Sequence, residues 1–153
     1  MTPRPALLSA RALAIALLTL AVVWLLPTTV SAQETAPSTL QSSVEMVIRD
    51  QMAAFQRDDA ATAFGYAAPN IQQMFQTPDR FIDMVRRGYM PVYRPGAVEF
   101  GPFREIDGAY QQIVDIVDLG GNGWRALYTL VTLPDGSLKI AACVLVERPL
   151  TGV

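Results

Sequence analysis

The chain has 153 residues, a length that fits one domain, with a formal net charge of −2 and no histidine. The missing histidine removes the commonest metal ligand and general base, which leaves Asp, Glu, Tyr or Lys139, the only lysine, for acid–base chemistry. No block of basic residues is present, which argues against nucleic acid as a partner. Cys143 is the only cysteine, so the chain forms no internal disulfide.

The first 32 residues have the composition of a secretory signal peptide. Arg4 and Arg11 give a positive start, an apolar run spans 12–26, and small residues suit cleavage after Ala32. The run is shorter than the roughly 20 residues of a membrane span, and an uncleaved membrane anchor is the alternative. We therefore expect a periplasmic or secreted domain at 38–150, preceded by a polar linker at 33–37.

A long helix is predicted directly after the linker. Ser38 and Gln41 have the spacing of a capping box, and apolar residues then recur at helical spacing as far as Phe55. The helix is therefore expected to end near Arg57.

Two adjacent carboxylates, Asp58 and Asp59, interrupt the apolar pattern. Either can cap a second, shorter helix, where its oxygens accept backbone N–H bonds and meet the positive end of the helix dipole. Capping is favoured over catalysis, because paired carboxylates at a surface turn lack the burial that shifts pKa values. Pro69 is predicted to end this helix.

Two further helix starts follow. Asn70 can begin a third segment, and Thr77 followed by Pro78 is a cap with proline at the first helical position. Gly88 can close that helix. Asp83 and the arginines near it are expected to form a solvated, ion-paired surface.

Beyond the helices the pattern changes to strands. Segments rich in β-branched and aromatic residues, separated by turns, occur at 98–100, 110–118, 124–133 and 138–147. Helices followed by an antiparallel meander predict an α+β fold, with the N-terminal helices packed on one face of a curved antiparallel β-sheet.

The last turn predicts which side chains face the helices. The sequence "LPDGS" indicates a three-residue hairpin loop that pairs Leu133 with Ser137 and, by uniform pairing, Tyr128 with Ala142. The core face is then expected to carry Trp124, Ala126, Tyr128, Leu130, Leu138, Ile140, Ala142 and Val144. The outer face is unusually apolar, and we expect it to form a homodimer interface through Leu127, Val131, Cys143 and Leu145.

The sequence "DLGGNGW" allows two registers of the preceding hairpin. With a three-residue loop, Asp118 pairs with Asn122, and Asp115 faces Arg125 on the outer face. With a four-residue loop, Asp115 lies on the core face opposite Tyr128, at a large desolvation cost. That cost favours the first register, whereas the second would make Asp115 and Tyr128 a catalytic proton-transfer pair.

Four aromatic side chains with polar tips are candidates for the lining of a pocket between helices and sheet. They are Tyr66, Tyr89, Trp124 and Tyr128, and they suit a flat apolar ligand. By residue type alone, an ordinary core with hydrogen-bonded tips is favoured over the pocket. The sequence has no phosphate-binding loop, metal cluster or Ser–His–Asp set, so we expect no cofactor and no metal.

Several separated segments resemble one bacterial family, the domain of unknown function family 4864, within the nuclear transport factor 2-like superfamily, also called cystatin-like or SnoaL-like. They are "QMAAFQRDDAATAFGYAAPNIQQMF", "TPDRFIDMVRRGYMPVYRP", "WRALYTL" and "PDGSLKIAACVLV". Relatives typically have Trp at the position of Leu138 and Gly at that of Ala142. The resemblance implies a cone, in which helices close one side of a strongly bent sheet, often around an apolar pocket.

The resemblance implies no single activity. Members of the superfamily include isomerases, dehydratases, hydrolases and proteins that only bind ligands or partners, and many dimerise through the sheet. We therefore expect a non-catalytic exported domain that binds a small apolar ligand or a protein partner and dimerises through its sheet. The alternatives are an isomerase or dehydratase that uses Asp115 and Tyr128, and a membrane-tethered interaction domain.

Overall fold

The structure, a computed structural model, describes residues 38–148, and the predicted signal peptide and linker lie outside them. Its helices are α1 (Thr39–Gln56), α2 (Ala60–Gly65), α3 (Pro69–Phe75), α4 (Pro78–Gly88) and α5 (Met90–Tyr93). Its strands are β1 (Pro95–Ile106), β2 (Ala109–Asp118), β3 (Gly123–Thr132) and β4 (Leu138–Glu147). Helices followed by strands confirm the predicted α+β fold, although the short helix α5 was not predicted.

The four strands form one antiparallel sheet in the order β1-β2-β3-β4. Register shifts interrupt the β1–β2 and β3–β4 pairings, and such irregularities bend a sheet. The core lies between the inner face of this curved sheet and the helices. Its largest fully buried side chains include Tyr128, Phe55, Ile48, Ile116 and Leu130.

Three helices begin at the predicted caps. The side chains of Ser38, Asp59 and Thr77 each accept a hydrogen bond from the backbone N–H three residues later, at distances from 3.0 to 3.3 Å. Pro78 occupies the first turn of α4, as predicted. Within residues 38–148 there is no helix of the length and hydropathy that crossing a membrane requires.

The predicted end of α2 is wrong. The helix ends at Gly65, and Pro69 begins α3 instead. The three residues between them pair with the edge of β4: the Ala68 N–H donates to the Ile140 carbonyl at 2.8 Å, and the Ile140 N–H donates to the Tyr66 carbonyl at 2.9 Å. This pairing requires an extended backbone, so α2 stops before it.

The β2–β3 hairpin has the three-residue loop that the sequence favours. The Asp118 N–H donates to the Asn122 carbonyl at 2.9 Å, and Asp115 pairs with Arg125. Asp115 therefore lies on the outer face of the sheet, and Tyr128 faces the helices as predicted.

The side chain of Asp118 stabilises this loop. One carboxylate oxygen accepts hydrogen bonds from the N–H groups of Gly120 and Asn122 at 2.8 and 2.9 Å. The other accepts a hydrogen bond from the indole Nε1 of Trp124 at 2.9 Å. These bonds, that of Trp124 foremost, lower the pKa of Asp118 to about 2.

The β3–β4 loop is also as predicted, but uniform pairing fails beyond it. The Leu133 N–H donates to the Ser137 carbonyl at 2.8 Å. Farther along, Ile140 and Ala142 lie opposite two consecutive residues of β3, which leaves Ala141 as a β-bulge.

The bulge exchanges the two faces for the rest of β4, because side chains alternate along a strand. Tyr128 lies opposite Cys143 rather than Ala142. Cys143 and Leu145 were predicted on the outer face, but they pack against the core. Val144 was predicted in the core, but it lies outside and is 56% exposed.

Asp58 and its neighbour Asp59 differ in role, because only Asp59 caps a helix. Asp58 adopts a left-handed φ of 58°. Its Oδ1 accepts hydrogen bonds from Arg94 at 2.7 Å, from Arg86 at 3.2 Å and from the Tyr93 hydroxyl. These donors, Tyr93 foremost, lower the pKa of Asp58 to about 2. Asp58 thus joins the start of α2 to α4 and α5.

We expect Asp58→Asn to lower Tm at pH 7, because the charged hydrogen bonds to Arg86 and Arg94 are lost. The pKa of Asp58 falls from its ordinary 3.8 to about 2 on folding, so its contribution is complete above about pH 4. That contribution disappears as the pH falls through about 2, where the folded carboxylate takes up a proton. Thermal unfolding followed by circular dichroism should therefore show a Tm difference that shrinks between about pH 4 and 2.

Asp59→Asn is the matched control, because asparagine caps a helix about as well as aspartate. It should lower Tm at pH 7 by less than Asp58→Asn does. Equal losses would contradict the different roles of the two carboxylates.

Candidate functional site

A cavity of about 290 Å³ lies between the helices and the sheet. Its walls come from α1, α3, α4, α5, β3 and β4. They are mainly aromatic, aliphatic and thioether side chains, among them Phe55, Ile71, Met74, Phe75, Phe81, Met84, Val85, Tyr89, Val92, Tyr128 and Ile140. None of the lining residues carries a charge, so the cavity is suited to an apolar ligand.

The aromatic wall is built around Phe81 of α4. Its ring lies 5.7 Å from that of Phe75 and 6.0 Å from that of Phe55, measured between centroids in tilted or edge-on contacts. Aromatic pairs prefer such contacts to face-to-face stacking. The rings thereby hold α1, α3 and α4 together on one side of the cavity.

Side chains of the helical layer anchor it to the edge of β4. Asn70 Nδ2 donates to the carbonyl of Ala141, the bulged residue, at 2.9 Å. The Tyr89 hydroxyl donates to the Cys143 carbonyl at 3.0 Å. These bonds fix the separation of helices and sheet on either side of the cavity.

Tyr128 lies in the sheet wall with its hydroxyl unsatisfied. The residue is 1% exposed, and its oxygen has no hydrogen-bond partner among the described residues. Burial raises the pKa of Tyr128 well above its usual value, and Cys143 and Tyr89 beside it add to the shift. The hydroxyl therefore stays protonated at neutral pH, as a donor without an acceptor. A buried group in that state costs about 1 to 3 kcal/mol.

Cys143 lies opposite Tyr128 and lines the same cavity. Burial raises the pKa of its thiol to about 12. Since the thiolate is the nucleophile and the metal ligand, a thiol held protonated is inert in both roles. In the part of the chain that the structure describes, no cluster of three or more His, Cys, Asp or Glu side chains is placed to hold a metal.

The structure brings together two of the four aromatic residues predicted to share a pocket. Tyr89 and Tyr128 both line the cavity. Trp124 borders a separate cleft of about 440 Å³ with Arg94, because it precedes Tyr128 by four residues, or roughly 13 Å, along the strand. Tyr66 lies beyond α2, where its hydroxyl donates to Asp50 at 3.3 Å.

The less favoured alternative, a catalytic pair of Asp115 and Tyr128, does not form, because Asp115 lies opposite Arg125 as the favoured register predicts. The carboxylate of Asp115 accepts hydrogen bonds on the outer face from Arg125, at 2.7 and 2.8 Å, and from Arg148 at 2.9 Å. The bond with Arg125 is the main cause of the lowered pKa of Asp115. The sheet itself therefore separates this carboxylate from the Tyr128 hydroxyl.

The outer face keeps only part of the predicted interface. Leu127 and Val131 lie there, both half-buried, whereas the bulge removes Cys143 and Leu145. Val144 is exposed on this face in their place.

The wall contributed by α3 was missed by the sequence reasoning. Ile71, Met74 and Phe75 line the cavity, and Met74 is 71% exposed. Their spacing of i, i+3 and i+4 is the signal that would have found them, since it marks an apolar stripe on one side of a helix. Asp83 is exposed and lies 3.8 Å from Arg86, as predicted for a solvated, ion-paired surface.

The chain is similar to one protein family and to solved structures. The family described as "Domain of unknown function (DUF4864)" matches residues 37–153. An NTF2-like protein of unknown function from Shewanella baltica superposes with a TM-score of 0.51 at 11% identity, covering 74% of this chain and 99% of its own. A second such protein, from Silicibacter pomeroyi, gives a TM-score of 0.46 at 15% identity, covering 70% and 94%. No curated protein matches the chain.

We expect the Cys143 thiol of the folded protein to react with iodoacetamide at neutral pH at least about a hundredfold more slowly than the thiol of the urea-unfolded chain. A rise in pKa from 9.0 to about 12 removes nearly all thiolate from the folded state. Mass spectrometry over a time course measures both rates, and glutathione in each solvent corrects for the effect of urea. Similar rates would show that the thiol is neither buried nor perturbed.

Proposed function

The chain belongs to the DUF4864 family of domains of unknown function, and we propose that it is an exported, non-catalytic domain that binds a small apolar ligand. The uncharged cavity of about 290 Å³ between helices and sheet carries this proposal. Apolar ligand sites have this character: a concave apolar wall with a few polar groups that fix orientation. Transfer of apolar surface out of water favours binding by roughly 25 cal/mol per Å².

The chemistry of the wall supports binding over catalysis. Proton transfer needs a group whose pKa lies near the working pH, and the pKa values of Tyr128 and Cys143 are both raised far above neutrality. The nearby carboxylates Asp58 and Asp115 are bound to arginines outside the cavity. The cavity wall thus provides an apolar surface against which a ligand can pack, and one hydrogen-bond donor, the Tyr128 hydroxyl.

Export is proposed from the N-terminal sequence. A positive start, an apolar run and small residues before Ala32 are typical of a cleaved signal peptide. If the N-terminal segment were not cleaved, its apolar run at 12–26 would instead tether the domain to a membrane.

We also propose a homodimer formed through the outer face of the sheet. Val144 and Val146 are 56% and 51% exposed there, next to half-buried Ile113, Leu127 and Val131. A contiguous apolar patch of this kind marks an interaction site, and a second copy of the chain presents a matching apolar patch.

Native mass spectrometry of the protein purified from the envelope of its source cells tests ligand binding and export together. We expect a chain that starts at Gln33 and carries the extra mass of a small molecule. Cys143→Leu should lose that mass, because leucine occupies part of the cavity. Val144→Leu, one residue along on the outer face, is the matched control and should retain it. An adduct that persists in Cys143→Leu would place the ligand elsewhere.

The dimer is tested by introducing a charge into the outer face. We expect Val144→Lys to weaken dimerisation at least about tenfold, because two ammonium groups would be desolvated in a symmetric interface. Analytical ultracentrifugation measures the change. Met46→Lys is the control, since Met46 is similarly exposed at 58% but lies on α1. A wild-type chain that stays monomeric at high concentration would contradict the proposal.

A further inference from the structure

The cavity has one polar group that is buried and unused, the hydroxyl of Tyr128. Resting on the proposed function, we infer that the ligand is an uncharged molecule with a hydrogen-bond acceptor, such as a ketone or ester oxygen, that accepts a hydrogen bond from Tyr128.

The other polar side chains of the cavity wall already have partners. The Tyr89 hydroxyl, Asn70 Nδ2 and Gln51 Nε2 each donate to a backbone carbonyl, at 3.0, 2.9 and 3.1 Å. These bonds hold the helices in place, so a ligand that competed for them would loosen the fold. The Tyr128 hydroxyl has no such structural role. A ligand that provides a hydrogen-bond acceptor satisfies this buried donor and removes the free-energy cost of leaving it unpaired.

Tyr128 is itself a lining residue of the cavity, as are Cys143, which lies opposite it in the sheet, and Tyr89. A bound ligand would therefore pack against Tyr128 and its neighbours, next to the buried hydroxyl. An acceptor at one end of the ligand can meet the hydroxyl while the rest packs against the rings of Phe75 and Phe81.

The absence of charge in the wall argues for an uncharged ligand. A carboxylate in the cavity would lose its hydration without gaining a cation, because the lining contains no lysine or arginine. Arg86 of α4 and Arg94, which follows α5, are not lining residues and are engaged by Asp58. A single tyrosine donor does not replace a counter-ion.

Gln112 offers a competing partner for Tyr128. It pairs with Tyr128 across β2 and β3, and its buried Oε1 also lacks a partner. Its Nε2 is held by the carbonyls of Gly101 and Ile113, both at 2.8 Å, and the residue does not line the cavity. A water between Gln112 and Tyr128 would satisfy both atoms. In that case the hydroxyl would not discriminate between ligands.

Three probes of nearly equal shape separate these outcomes: acetophenone, ethylbenzene and benzoate. Chemical shifts of ¹³C-labelled methionine methyl groups report occupancy, because Met74 and Met84 line the cavity. Titrations use the wild type, Tyr128→Phe and the control Tyr66→Phe, which removes a tyrosine hydroxyl that lies outside the cavity and is bound to Asp50. We expect the preference for acetophenone over ethylbenzene to fall about fivefold to tenfold in Tyr128→Phe and to persist in Tyr66→Phe. Benzoate should not bind where acetophenone saturates.

Each result has a distinct reading. If neither acetophenone nor ethylbenzene shifts the methyl signals of the wild type, small-ligand binding in the cavity is overturned. If both bind and the preference is unchanged in Tyr128→Phe, binding stands and the role of the hydroxyl is overturned. If benzoate binds as tightly as acetophenone, the restriction to uncharged ligands is overturned. Thermal unfolding of Tyr128→Phe checks the fold, and we expect no fall in Tm, because the lost hydroxyl had no partner.

Discussion

One carboxylate, that of Asp118, determines which side chains of β2 face the helices. By binding two backbone N–H groups and the Trp124 indole, it stabilises a loop of three residues rather than four. A loop one residue longer would move every side chain of β2 to the opposite face while β3 stayed in place. The outward ion pair of Asp115 with Arg125 therefore depends on this loop, and so does the absence of a carboxylate opposite Tyr128 on the inner face.

The β-bulge at Ala141 determines which side chains in the rest of β4 face the helices, and this bulge could not be predicted from the sequence. The β3–β4 loop could be predicted because proline, aspartate and glycine signal its turn locally. The β2–β3 loop allowed two lengths, and the cost of burying Asp115 decided between them. The bulge has no such signal, and the carbonyl of Ala141 is held by Asn70, which is distant in sequence. Cys143 and Leu145 were misplaced for that reason.

The same limit applies to the cavity and to the two aspartates. The apolar, aromatic character of the cavity follows from composition, and Tyr89 and Tyr128 were among the predicted lining residues. The apolar stripe of α3 is visible in the spacing of its residues, but the spacing does not show that this stripe faces the cavity, because that depends on how α3 docks on the sheet. Likewise, either aspartate could serve as a cap by residue type, but arginines far along the chain engage Asp58 and leave the cap to Asp59.

The attachment of the helical layer to β4 also affects how two molecules can meet. An outer strand with free backbone groups invites another strand to add to it, which is a common route to aggregation. Here the carbonyls of Ile140, Ala141 and Cys143 are occupied by Ala68, Asn70 and Tyr89. At the opposite margin, Pro95 and Pro102 remove N–H donors from β1. With both margins partly obstructed, extension of the sheet from molecule to molecule is disfavoured.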